Sequence, residues 1–229
     1  MVHESVSIVV INRNNGRFLE QALHSATTQT VRCEVILVDG CSTDNSMTIA
    51  EKFPITTLLE PVRGVGRARN LGISGARSTW IVPLDSDDWL EPNFVERSLA
   101  AATNSQAGIV AGGLWFEYAE RPREVMLPKQ PVSIGHLLKE NCIFNTSMFR
   151  RRAWHEVGGY TPLSDYEDWD LWIRLMAAGW HCEVIESPLY HYRVHDAMHT
   201  ATLPSGGSEA LCRYMRLRHA DLIALHGSW

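Results

Sequence analysis

Residues 6–39, VSIVVINRNNGRFLEQALHSATTQTVRCEVILVD, decide the fold class. Val6 to Ile11 is a continuous β-rich apolar run, the pattern of a strand buried on both faces, and it ends at the turn-forming Asn14-Asn15-Gly16. Phe18, Leu19, Ala22, Leu23 and Ala26 then recur at helical spacing, and Glu34 to Asp39 returns as a second buried strand. Together they form a β-α-β unit that opens a parallel sheet. The alternation continues downstream. Ser42 and Thr43 can cap a helix carrying Met47, Ile49, Ala50 and Phe53, and Ile55 to Leu59 reads as a third strand. Val65, Ala68, Leu71 and Gly72 suggest another helix, Trp80 to Leu84 a fourth strand, and Pro92 the start of a helix containing Phe94, Val95, Ser98 and Leu99. The first hundred residues therefore read as the kind of α/β layer that binds nucleotides.

After residue 108 the rhythm shifts to shorter strand-like pieces, Ile109 to Ala111, Leu114 to Tyr118 and Met148 to Arg150, with one clear helix from Glu167 to Ala178 closed by Gly179. A mixed extension of the same sheet is expected, within one domain. Leu203 to Gly207 reads as flexible, and beyond it Leu211, Met215, Leu222 and Leu225 predict a single terminal helix. The 229 residues carry 21 Lys and Arg against 26 Asp and Glu, a net charge of −5, which gives no footprint for duplex DNA or an anionic membrane. Five scattered cysteines (Cys33, Cys41, Cys142, Cys182, Cys212) form no C-x-x-C pair and are read as buried thiols. No apolar run approaches the roughly 18 residues of a membrane span or the form of a signal peptide, so a cytoplasmic location is expected.

Three carboxylates crowd together directly after the fourth strand, in Leu84-Asp85-Ser86-Asp87-Asp88-Trp89. In an extended chain Asp85 and Asp87 share a face, at the end of the strand where open α/β sheets place ligands. A hard divalent cation, Mg²⁺ or Mn²⁺, would relieve their repulsion and complete its shell with phosphate oxygens. The same segment also reads as an acidic loop before the Pro92 helix. In Glu167-Asp168-Trp169-Asp170-Leu171-Trp172-Ile173-Arg174 the acids suit a helix start, Asp170 and Arg174 can pair at i and i+4, and the tryptophans can be core. A carboxylate there can equally take a hydroxyl proton, with Glu167 raising its pKa and the helix dipole lowering it. Gly64-Val65-Gly66-Arg67-Ala68-Arg69-Asn70 has Arg69 where a dinucleotide fingerprint needs its third glycine, and Walker A is missing. Asp39, ending the second strand, can accept hydrogen bonds from a base or ribose, or be a turn residue. In Tyr190-His191-Tyr192-Arg193-Val194-His195 alternation places Arg193 and His195 on one side, able to meet a diphosphate and a metal together. The sequon Asn145-Thr146-Ser147 carries no expectation in a cytoplasmic protein.

In this order the segments resemble the family 2 glycosyltransferases, inverting enzymes of the GT-A fold, over residues 6 to about 195. EVILVDGCSTDNS is similar to the family's V-D-D/G-G-S-T-D segment, GVGRARNLGI to its A-R-N-x-G segment, and PLDSDDWLEP to its D-x-D metal motif. FRRRAWHEVGGY resembles the pre-catalytic segment and EDWDLWIRL the E-D-x-D-L-W motif. The resemblance implies a GT-A domain over 1–200, with a nucleotide-binding half (1–108) and an acceptor and catalytic half (109–200), followed by a helical tail over 201–229.

It also implies roles. Asp39 would bind the base with Arg69 nearby, Asp85 would face the nucleotide, and Asp87 would hold the divalent metal, with Asp88 supporting the site. Asp168 would be the general base, assisted by Glu167 and shaped by Trp169, and Arg193 and His195 would approach the diphosphate and the metal. Gly40 and Cys41 depart from the family's usual pair at this point. The implied reaction moves a sugar from a nucleoside-diphosphate donor, a UDP-sugar foremost, to an acceptor hydroxyl with inversion, aided by Mn²⁺ or Mg²⁺. A sugar-nucleotide nucleotidyltransferase and a non-catalytic sugar-nucleotide-binding protein are the competing readings; the first lacks its Gly-rich basic N-terminal loop. A glycan, a lipid-linked sugar, a protein or a modified nucleobase all remain open as acceptor. Arg213, Arg216 and Arg218 make the tail locally basic, suited to an anionic surface or, alternatively, to packing on its own domain or a dimer partner.

Overall fold

The apolar runs of the first half build the middle of one mixed sheet. The computed structural model describes residues 4–105, 107–162, 166–195 and 207–226, leaving out the side chains of 104 and 207–212. Strand β1 (Val6–Asn12) pairs in parallel with β2 (Glu34–Asp39) on one side and β4 (Trp80–Asp85) on the other, and β2 pairs in parallel with β3 (Thr56–Leu59). Parallel neighbours need crossovers. Helix α1 (Gly16–Thr27), α2 (Ser46–Ala50) and α3 (Val65–Gly75) supply them. The register sets Asn12 opposite Asp39 and Ile11 opposite Asp85, so the carboxyl ends of the three central strands lie level.

The second half adds β5 (Trp89–Leu90), α4 (Phe94–Ser105), β6 (Ile109–Tyr118), β7 (Glu124–Met126), α5 (Ile134–Leu137), β8 (Met148–Arg150), α6 (Arg151–Glu156), α7 (Glu167–Ala177) and β9 (Cys182–Val194). Among the described residues the sheet runs β3-β2-β1-β4-β8-β6-β9-β5, with β7 paired to β6. Beyond β4 the pairings are antiparallel, except that β6 and β9 run parallel. The expected mixed extension is therefore present. The two strand pieces expected at 109–111 and 114–118 are one strand, whose pairing with β9 shifts register at Gly112 and Gly113. The extra residues of those shifts lie on β9; what makes β6 look like two strands is Gly112-Gly113, which has no side chains to carry the apolar pattern across.

Period-2 alternation sends side chains to two cores. Ile8, Val10, Leu37, Val82 and Leu84 meet Leu19, Leu23 and Phe94 on one face, while Val9, Ile36, Val38 and Ile81 meet Ile73, Phe149 and Trp172 on the other. Burying each such side chain contributes roughly 1.5–3 kcal/mol. Helix α3 lies close on the sheet because Gly72 has no side chain: a Cβ there would stand 2.3 Å from Val9 Cγ1 and 2.9 Å from Val38 Cγ2. Gly179, at φ +91°, ends α7, and the Trp180 N–H donates back to the Leu175 carbonyl.

Several boundaries differ from expectation. Helix α2 starts at Ser46, because Ser42 turns back onto Asp39 and the Thr43 N–H donates to Asn14 Oδ1 instead of capping it. Helix α4 starts at Phe94, since Pro92 and Asn93 form the turn before it. The expected single terminal helix is two, α8 (Gly207–Arg218) and α9 (Ala220–His226). His219 separates them, held inward and buried. Cys142 is buried, Cys33 and Cys182 are half-buried, and Cys41 is exposed at φ +55°, so the thiols are not uniformly core. Leu203 to Gly206 and the side chains of Leu211 and Cys212 lie outside the described residues. No described helix is long and apolar enough to cross a membrane.

Candidate functional site

The level carboxyl ends of β1, β2 and β4 make a shelf, and the site is assembled on it. At the end of β2, Asp39 is fully buried. Its Oδ1 accepts from Asn12 Nδ2 (2.8 Å) and Ser42 Oγ (2.7 Å), and its Oδ2 accepts from the Ser42 N–H (2.7 Å). These bonds knit the loop after β1 to the loop after β2, which is the turn role weighed for a lone Asp at this point.

At the end of β4 the chain does not stay extended. The Asp88 N–H donates to the Asp85 carbonyl (3.1 Å), closing a tight turn over Ser86 and Asp87. Strand alternation is therefore not what brings the carboxylates together; the turn does, and it aims them differently. Asp85 accepts from Arg69 (2.8 Å) and from Asn145 Nδ2 (3.3 Å). Asp87 Oδ2 lies 3.0 Å from His195 Nε2. Asp88 is buried and accepts from the Arg193 N–H (2.9 Å). Burial and the Asp85 charge push Asp87 above the ordinary carboxylate range, with His195 opposing. Burial, then Asp87 and Asp85, push Asp88 well above it.

Strand β9 carries the cations to this turn. Arg193 Nε donates to the Asp87 carbonyl (2.9 Å), and its guanidinium lies 4.4 Å from the Phe18 ring centre and 4.6 Å from that of Trp89. Arg193 and His195 therefore do reach the same turn, as their alternation predicts. Burial lowers the Arg193 pKa against the pull of Asp88 and Asp87.

Arg69 joins the two halves of the site. It projects from α3, is 2% exposed, and bridges Asp85 to Glu167 at the start of α7. Asp39 is not among its contacts. Its burial is more than offset by the Asp85 and Glu167 charges, which hold it protonated. One turn of helix then presents Asp168, whose Oδ2 accepts from Asn141 Nδ2 (3.1 Å). Burial and the neighbouring Glu167 charge push Asp168 up to about 6, while Arg69, the Trp169 N–H and Asn141 pull it down. The net shift is upward, and its largest cause is burial, which the weighing of Glu167 against the helix dipole leaves out. Trp169 is core, and its Nε1 donates to the Leu137 carbonyl (2.6 Å), fixing α7 against α5.

Two polar contacts escape a reading of the sequence. Asn145, whose sequon form invites dismissal, touches Asp85, and Asn141 touches Asp168. Both belong to the irregular stretch between α5 and β8, where no periodicity marks a direction. For a cation, the turn supplies the Asp87 carboxylate and the end of β9 the His195 imidazole, with Asp85 close enough to raise Asp87. No group of three His, Cys, Asp or Glu side chains suited to a metal converges among the described residues. A carboxylate and an imidazole 3.0 Å apart are donors of the kind taken by an ion with one or two protein ligands and phosphate oxygens in its remaining positions.

Residues 7–161 match the family described as Glycosyl transferase family 2. An uncharacterized glycosyltransferase of Haemophilus influenzae is 28% identical, the match covering 94% of this chain and 85% of that protein. The succinoglycan biosynthesis protein ExoO of Rhizobium meliloti is 27% identical over 94% of this chain and 65% of its own length. Among solved structures, S. aureus TarS 1–349 in complex with UDP-GlcNAc superposes with a TM-score of 0.77 at 16% identity, covering 93% of this chain and 66% of that one. The last likeness shows the fold, which is GT-A-like: a mixed, curled sheet flanked by helices.

Proposed function

The chain belongs to glycosyl transferase family 2, a family of enzymes, and from that premise we propose that it moves a sugar from a UDP-sugar to an acceptor hydroxyl with inversion, with Asp168 as general base. The observation that carries the reading is the Arg69 bridge. One buried guanidinium ties Asp85, on the turn that faces a donor, to Glu167, which adjoins Asp168. Binding and proton transfer are thereby held in one rigid frame, as near-attack positioning requires.

The acceptor oxygen forms its bond to the sugar's anomeric carbon from one face as the bond to the diphosphate oxygen breaks on the other. The hydroxyl proton passes to Asp168, and the nucleoside diphosphate leaves with the electron pair. A base whose pKa is raised to about 6 is ionised near neutrality yet holds a proton better than an ordinary carboxylate, which suits general-base work. Asn141 orients it. The guanidinium of Arg193, set at the Asp87–Asp88 turn, faces the charge that develops on the leaving diphosphate. Asp87 and His195 would hold Mn²⁺ or Mg²⁺, which when bound neutralises diphosphate charge. Asp39, closed into its turn by Ser42 and Asn12, supports the base-binding end of the shelf.

The reading is tested by incubating UDP-sugars with Mn²⁺ and following UDP release, to water where no better acceptor is known, in wild type and Asp168→Asn. Loss of release with UDP binding retained supports it; normal release by the mutant removes Asp168 from the base role.

A further inference from the structure

The first turn of α7 carries Asp168, and its N-cap residue, Tyr166, sits in the left-handed region at φ +59° and makes no side-chain cap bond. Two ion-pair clamps hold this turn from outside the helix. Glu167 is held by Arg69. The other clamp is Asp170, fully buried, which divides its two oxygens between different parts of the chain. Its Oδ2 accepts from Thr161 Oγ1 (2.8 Å) and from Arg174 of the same helix (2.8 Å). Its Oδ1 accepts from Arg218 Nε and faces His219 Nε2 at 3.0 Å, both at the junction of α8 and α9. Although burial pushes Asp170 up, His219, Arg174, Arg218 and Thr161 together hold it well below the ordinary carboxylate range.

The apolar contacts follow the same line. Met215 is buried in the core that contains Trp169 and Trp172, with Leu222 and Ile223 packed against it, and α9 lies against α5. Helix α5 in turn supplies the Leu137 carbonyl that receives Trp169 Nε1, and it leads into Asn141, which touches Asp168. The C-terminal helices thus dock on the two elements that hold the base. Charge balance alone does not call for them: Arg174 already neutralises Asp170 from within its own helix.

We propose that Arg218 and His219 are positioning residues for Asp168, the C-terminal helix pair acting as a clamp that fixes the first turn of α7 through Asp170. The proposal rests on the reading of Asp168 as the base. It gives residues 213–226 a role in turnover without any contact to substrate.

The test uses the full chain as wild type, Arg218→Met and Arg218→Lys, with three readouts: UDP affinity, UDP release from a panel of UDP-sugars with Mn²⁺, and amide hydrogen exchange over residues 167–172. Arg218→Met is expected to keep UDP affinity within about twofold, because Arg218 bonds to Asp170 and not to the Asp85–Asp88 turn. Release should fall about ten- to hundredfold, the effect of a small misplacement of a catalytic group. Exchange over 167–172 should rise about tenfold or more as the turn opens locally. Arg218→Lys should recover part of both losses. Unchanged exchange in Arg218→Met, or a fall in UDP affinity by the same factor as release, overturns the clamp, the first because nothing was held and the second because the damage is global. Exchange needs no turnover, so a wild type that binds UDP yet releases it from none of the UDP-sugars would count against the base reading while the clamp is still decided.

Discussion

Replacing Arg69 with Met should damage stability and catalysis in separately measurable ways. The side chains of Arg69 and Glu167 are 3% and 9% exposed, while that of Asp85 is 32% exposed. Removing one partner of a buried ion pair costs about 3–5 kcal/mol, chiefly by stranding the other charge. Here Glu167 is the stranded group, while Asp85 can recover water, so the lower end, about 3 kcal/mol, applies. For a chain of this size that corresponds to a fall in Tm of about 6–12 °C. The second effect is electrostatic. Arg69 lowers the Asp168 pKa against burial and Glu167, which together set it at about 6. Without the cation the Asp168 pKa rises, so the acid limb of kcat/KM, near pH 6 in wild type, moves to higher pH. Scanning fluorimetry gives the first number and UDP release across a pH series the second. A Tm within about 2 °C of wild type, or an acid limb that stays put, refutes the claim that Arg69 couples the two halves of the site.

The other predictions follow from single contacts. Asp168→Asn should lose about two to four orders of magnitude in transfer, with UDP affinity retained. It should not lower Tm at neutral pH: an acid whose folded pKa of about 6 exceeds its unfolded value is destabilising once ionised, over the window from about pH 4 to 6 and above. A clear drop in Tm would contradict that sign. Asp87→Ala should abolish any Mn²⁺-dependent part of UDP binding measured by titration calorimetry, and metal dependence that survives the substitution would place the ion elsewhere. Gly72→Ala forces a Cβ against Val9 and Val38, costing about 1–3 kcal/mol and roughly 2–12 °C of Tm; an unchanged melting curve would mean that α3 has room to lift.

What the sequence made legible was periodic or clustered. Val6 to Ile11, Glu34 to Asp39 and Trp80 to Leu84 declare themselves as doubly buried strands because Ser7 is the one polar residue inside them, and register then sets Asp39 and Asp85 on one shelf. The i,i+4 pairing of Asp170 with Arg174 was visible for the same reason. What spacing cannot show is direction after a turn. The reversal at Ser86 and Asp87 re-aims Asp85 toward Arg69 and Asp87 toward His195, and no local pattern announces it. Partners far apart in sequence were equally silent. Asn141 and Asn145 sit in an irregular stretch, and Arg218 and His219 meet Asp170 from almost fifty residues away. The tail's arginines read locally as a basic helix face; only the fold reveals that Arg218 is spent on a buried carboxylate.

Whether transfer is a single displacement is read from the anomeric configuration of the sugar released at early times, followed by proton NMR, when wild type is given a panel of α-linked UDP-sugars with Mn²⁺. One of them should be consumed with release of UDP, the first-formed sugar should be the β-anomer, and Asp168→Asn should suppress the signal while still binding UDP. Release of the α-anomer, or equal turnover by Asp168→Asn, would contradict a single displacement assisted by Asp168.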